Sequence, residues 1–179
     1  ARITRDMIID ATYDVIRTEG IGMVNARSIA KRLDCSTQPI LYYFSGMDEI
    51  KNAVYQKADG YHTSFIMNIQ GEDPNPILEI GMRYVRYAVA EKKLFKFLFQ
   101  SDKFDNKDLT ETINADKLLP VLQMMSRAMS LSLEQAKKLF EFVFLTVHGI
   151  ASLLANNGMA FDKQHVQDLL SDALTCGML

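Results

Sequence analysis

Residues 24–50, VNARSIAKRLDCSTQPILYYFSGMDEI, decide how the chain is read. Asn25 is of a type that caps helices, and behind it Ile29, Ala30 and Leu33 line one side of a helix expected from about Ala26 to Leu33. Arg27 and Lys31, four residues apart, share its outer side. Asp34 and Cys35 form a turn, since aspartate is one of the few residues besides glycine that enters left-handed backbone. Ser36 is expected to cap the next helix, with Pro39 in its first turn, where a missing N–H costs little. Ser45 then caps a long helix from Met47, whose start carries Asp48 and Glu49.

Outward from this stretch every strong pattern is helical. Residues 4–19 carry Ile8, Ala11, Val15 and Ile16 at helical spacing behind a Thr4 cap, and Gly20 ends the helix. Asp6, Asp10 and Asp14 place three charges on a face expected to meet solvent. Downstream, the fourth helix is expected to reach Gln70, residues 71–76 to form a loop, and helices to follow from Ile77 to Ala90 and over 92–100. A polar turn over Ser101 to Lys107 precedes a pair of segments from Asp108 to Met129, broken at Pro120. Ser132 caps a helix from Leu133 to Asn156 or Asn157, Gly158 ends it, and Asp162 caps the last helix.

Across 179 residues, 48% are apolar, which is enough for a sizeable core, and runs of alternating β-branched residues are scarce. The net charge of −2 points to neither nucleic acid nor membrane as a whole-chain property. Cys35 and Cys176 stand in unrelated contexts, as expected of reduced thiols in a cytoplasmic protein. The most apolar run, Phe142 to Ala155, is shorter than the ~20 residues that span a bilayer, so a buried helix and no membrane partner are expected. Nothing resembles a signal peptide, and because the chain opens on Ala1 rather than Met, a basic arm ahead of it is left open. His62, His148 and His165 lack metal-type spacing, neither cysteine has a neighbouring histidine signature, and there is no glycine-rich phosphate loop. No metal, cofactor or enzymatic activity is expected.

Two helices joined by a three- or four-residue turn, the second short, have the layout of a helix-turn-helix. The order of an opening amphipathic helix, Gly20, the segment Asn25 to Ala30, Ser36, an aromatic short helix ending in Phe44, and Met47-Asp48-Glu49-Ile50 resembles the DNA-binding domain of TetR-type transcriptional repressors, closely over residues 3–51 and loosely beyond. The resemblance implies an all-α chain in which an N-terminal three-helix DNA-binding domain, 1–50, is joined by a long fourth helix to a larger ligand-binding and dimerisation domain, 51–179. Asp34, Leu41 and Met47 depart from the family's usual Gly, Tyr and Lys, the last two at expected phosphate contacts.

On this reading Thr37, Gln38 and Pro39 reach base edges first, with Gln38 suited to adenine, while Asn25, Arg27, Ser36, Tyr42 and Tyr43 hold phosphates of a double-stranded operator. Asn25 and Ser36 are equally explained as caps, and one of the adjacent Tyr42 and Tyr43 is expected in the core. Residues 1–51 hold seven basic and seven acidic residues, so binding must come from placement, with a shallow salt dependence.

Apolar residues surround the helix over 139–154, and both of its faces need cover. A C2 homodimer is therefore expected through its last two helices, using Gly149, Ser152, Leu153, Val166, Leu169, Leu170 and Ala173; the family resemblance implies the same placement. Aromatics and methionines, among them Tyr61, His62, Phe65, Met82, Phe95, Phe99, Met125, Phe144 and His148, suit a pocket for an unknown small-molecule effector, or simply a core. The rival reading is a helical ligand-binding or protein-interaction module that does not bind specific DNA.

Overall fold

The structure is a computed structural model, and it describes residues 2–69, 75–100 and 118–177. Among these are nine α-helices: α1 (Arg5–Glu19), α2 (Ala26–Arg32), α3 (Gln38–Tyr43), α4 (Met47–Met67), α5 (Pro76–Ala90), α6 (Lys92–Phe99), α7 (Leu119–Ala128), α8 (Leu133–Asn156) and α9 (Lys163–Cys176). The expected segments 71–74 and 101–117 lie outside the described residues. Contacts divide the chain into two compact units, Ala1–Phe65 with Glu91–Lys103, and Ile66–Ala90 with Phe104–Leu179. That division by packing differs from the functional one expected at residue 50, because most of α4 and all of α6 fall in the first unit.

In the first unit, local capping chemistry sets most helix ends. Thr4 accepts the Met7 N–H, and Asn25 and Ser28 cap each other's backbone at the start of α2. The turn after α2 is a Schellman motif: Cys35 N–H donates to Ala30 O and Asp34 N–H to Lys31 O, with Asp34 at φ 49°. Ser36 does not cap α3. Thr37 holds that position in right-handed backbone and makes no side-chain cap bond, because the chain is already helical where it leaves the turn. Ser45 likewise gives its N–H and hydroxyl to the Glu49 carboxylate at 2.9 and 3.0 Å, and those bonds hold Glu49 below the usual carboxylate range. The core joins Ile8, Val15 and Ile16 of α1 to Ile29, Ile40, Phe44, Ile50 and Val54.

α6 joins this unit through a contact 74 residues long in sequence, in which Arg17 forms a two-pronged ion pair with Glu91, one arm at 2.9 Å. Lys93 donates to the Thr18 carbonyl, and the Tyr61 hydroxyl reaches Glu91 at 3.3 Å. Burial raises the Tyr61 phenol and pushes that of Tyr13 up to about 12.

The second unit is built around α8, which packs on α5, α7 and α9. Ser132 and Gln135 form a reciprocal cap at its start, Asp162 accepts the His165 N–H to open α9, and Asn75 accepts the Leu78 N–H to open α5. Pro120 starts a helix rather than kinking one. Gly81 lets α5 approach α9 closely, since a Cβ there would stand 3.2 Å from Leu170. α8 has the bounds expected from sequence and is not apolar throughout, since its 24 residues take in Glu134, Lys137, Lys138 and Glu141 ahead of the run from Phe142; by length and composition it is the one described helix that could cross a membrane, a test that the core helix of a soluble protein also passes. It is not buried all round either. Ala136, Leu139, Val143, Val147, Ala151, Leu154 and Ala155 are covered, whereas Phe142, Leu145 and Leu153 are exposed.

Candidate functional site

α3 is six residues long, and its back is closed by Ile40, followed by Phe44 at the C-cap. The Arg5 guanidinium sits 4.6 Å from the Phe44 ring centre, clamping the end of α3 to the start of α1. What remains outward is a triangle of Gln38, Leu41 and Tyr42, at the i, i+3 and i+4 positions that share a helix face. Leu41 is 69% exposed and Tyr42 78%. Of the adjacent tyrosines, Tyr43 is the half-buried one, its ring meeting Tyr42 edge-on at 5.1 Å. Among the expected base-readers, Gln38 is exposed while Thr37 and Pro39 are half-buried on the flanks. Asn25, Arg27 and Ser36 are exposed. Leu41, read from sequence only as a lost phosphate contact, thus belongs to the outward face, and its spacing from Gln38 was the signal.

The neutral charge of residues 1–51 resolves into local pairs. Arg5 pairs with Glu49, Arg32 with Asp14 and Glu19, Lys51 with Asp48, and Asp10 with Lys57. Arg27 and Lys31 on α2 have no carboxylate in ion-pair reach among the described residues. Positive charge is thereby left on the helix that precedes α3.

On the second unit, Phe142 (47% exposed), Leu145 (50%) and Leu153 (50%) form a strip on α8 with Gly149 exposed between them, and Leu169 of α9 is 39% exposed. Ser152 is half-buried at its border. Val166, Leu170 and Ala173 are different: they are buried within the subunit's own core and so are not surface contacts. A helical stripe cannot tell its own core from a partner's, which is why sequence grouped them with Leu169.

The expected pocket residues separate into two groups. Tyr61, His62, Phe65, Phe95 and Phe99 belong to the first unit, where the His62 and Phe99 rings are 5.2 Å apart. Met82, Met125, Phe144 and His148 belong to the second, where His148 Nδ1 and the Tyr84 hydroxyl are hydrogen-bonded at 2.9 Å and Phe144 stacks on His148 at 5.6 Å. Met82 and Met125 are buried. Burial lowers both histidines, His62 to about 4. A surface depression lined by Met7, Asp10, Tyr13, Asp14, Arg32 and Lys57 includes none of these residues. Both cysteines are free thiols.

With this geometry in hand, the relatives are informative. Residues 77–176 match the family model described as "Tetracyclin repressor-like, C-terminal domain". The match spans more than half of the chain, which belongs to the TetR family of transcriptional regulators and has the fold of a DNA-binding regulator. Among solved structures it is similar to a TetR-like transcriptional regulator from Rhodococcus sp. RHA1, with 15% identity, 99% of this chain and 98% of that chain covered, and a TM-score of 0.68. A TetR family member from Streptomyces coelicolor A3 shares 16% identity over 94% of this chain and 96% of that chain, with a TM-score of 0.63. The multidrug binding protein EbrR, complexed with imidazole, shares 16% identity over 94% of this chain and 88% of that chain, with a TM-score of 0.58. No curated protein sequence matches the chain.

Proposed function

We propose that the chain is a cytoplasmic repressor that binds a palindromic operator as a homodimer and is released by a small-molecule effector. Residues 1–50 would read the DNA, and 51–179 would dimerise and bind the effector. The observation that carries the reading is the outward face of α3, a short helix held from behind by Ile40 and Phe44 and presenting Gln38 and Tyr42 to solvent. Gln38 matches the N6 and N7 edge of adenine in the major groove. Tyr42, Tyr43, Asn25, Ser36 and Arg27 surround it with donors for phosphate oxygens, and Thr37 and Pro39 flank it.

The exposed strip Phe142, Leu145, Gly149, Leu153 and Leu169 supports self-association, since a two-fold dimer pairs one such strip with its copy. The effector site is assigned to the second-unit group around His148, where aromatic walls meet a polar handle in the His148–Tyr84 bond. EbrR, named as a multidrug binding protein and complexed with imidazole, supports a small-molecule effector.

Titration of the purified protein against duplex DNA from upstream of its own gene, across a salt series with scrambled competitor, tests the reading. Sequence-selective, salt-sensitive binding is expected, weakened about tenfold in Gln38→Ala, as for loss of one bidentate base contact. Equal affinity for scrambled DNA would return the chain to the class of helical ligand-binding or interaction modules.

A further inference from the structure

We propose that Leu41 is a specificity-determining residue that reads the C5-methyl group of a thymine in the operator. The inference rests on the DNA-binding reading above and adds a residue and a chemical group to it. A single exposed leucine is ordinary on a protein surface. This one is set apart by its place: 69% exposed on a six-residue helix, one turn from Gln38 and next to Tyr42, on the face turned away from the core.

Ile40 and Phe44 supply the packing of this helix, so Leu41 has no folding role that would account for it. It has no donor for a phosphate oxygen either. The base edges of the major groove present donors, acceptors and one apolar group, the thymine methyl. An apolar side chain on a groove-facing surface is complementary to that group and to no other there. Three residues of helix advance about 4.5 Å, while successive base pairs are about 3.4 Å apart. The thymine therefore lies within two base pairs of the adenine that Gln38 reads.

The test starts from an operator selected by the full-length protein out of randomised duplexes. Each thymine is then replaced in turn by deoxyuridine, which removes the methyl and keeps every hydrogen-bonding group. One thymine per half-site is expected to weaken binding about fourfold on replacement, the size of one buried methyl. Leu41→Ala, which removes the contact from both half-sites at once, should lose roughly 16-fold on the thymine operator and be indifferent to the same replacement. Its melting temperature should match that of the parent protein, since the side chain it loses is exposed. A Leu41→Ala protein that keeps the full deoxyuridine penalty overturns the inference, as does an operator with no sensitive thymine. Selection of a defined site in either of those cases leaves the DNA-binding reading standing, whereas failure to select any sequence removes both.

Discussion

Two surfaces of this molecule expose large apolar side chains, Leu41 and Tyr42 on α3 and, about half-exposed, Phe142, Leu145 and Leu153 on α8. Their neighbours differ. On α3 the exposed apolar groups stand beside Gln38, with Thr37 and Ser36 just ahead of the helix, and α2 contributes Arg27 and Lys31, which have no carboxylate in ion-pair reach among the described residues. On α8 the strip runs through residues 142–155 without a charge, with Thr146, Gly149 and Ser152 as its small or polar members. Six residues extend about 9 Å and 14 about 21 Å. The short mixed surface has the dimensions of a groove reader, and the long dry one those of a helix–helix interface. A contiguous apolar strip is the shape that a second helix can cover, while one or two apolar groups beside polar ones match a mixed surface such as a row of base edges.

The sharpest way to break this contrast is to put a charge into the dry strip. In a two-fold interface Leu153→Glu places two carboxylates in one apolar contact, at a cost of several kcal/mol. Self-association should weaken at least about 100-fold, giving monomers at micromolar concentration by light scattering, with operator affinity falling in step. The same change at Leu41 should abolish selective DNA binding and leave the dimer intact. A Leu153→Glu protein that stays dimeric at low micromolar concentration would assign the strip another role.

Behind the two surfaces the cores also differ, and pH separates them. His62 in the first unit is buried, and desolvation of its charged form outweighs the nearby Asp59 carboxylate, leaving it at about 4. His148 in the second unit is only half-buried and is lowered by burial alone. An unfolded histidine titrates near 6.5, so the unfolded chain takes up the His62 proton first. The stability contributed by neutral His62 is therefore complete above about pH 6.5 and lost as the pH falls toward 4, by roughly 2–3 kcal/mol. Urea midpoints measured from pH 7 to 4.5 should show this loss, and His62→Gln should flatten it. An unchanged slope in the variant would move the pH dependence to other groups.

What could be read from sequence follows the range of the interaction. Thr4, Asn25, Ser132 and Asp162 were legible as caps because each bonds a backbone N–H three residues on. Ser36 and Ser45 carry the same side chain in the same apparent context, yet neither caps, since the Schellman turn and Glu49 already set the local backbone. The pairing of Arg17 with Glu91 gave no sequence signal, as nothing in a 74-residue separation marks two charges as neighbours. The α3 surface was half legible. Gln38 and Tyr42 were named as contacts and Leu41 only as a lost one, and it is the burial of Ile40 and Phe44 that shows all three on the side that faces out.

The smallest effect sharpens the comparison from the other end, at the turn that aims α3. Asp34 holds φ 49°, where an L-residue is strained and glycine is not. Asp34→Gly relieves that strain but loosens the unfolded chain, and the two terms nearly cancel, leaving a gain below about 1 kcal/mol. The two Schellman hydrogen bonds, at 3.0 and 3.3 Å, are backbone bonds and survive the change, so α3 keeps its orientation. The substitution also removes an exposed negative charge between α2 and α3, beside the proposed phosphate contacts. Operator affinity should therefore rise a few-fold at low salt and converge with the parent protein as salt screens the charge. The dimer constant, set on the other unit, should not move. A fall in affinity instead would mean that Asp34 itself holds the turn in a way its backbone does not.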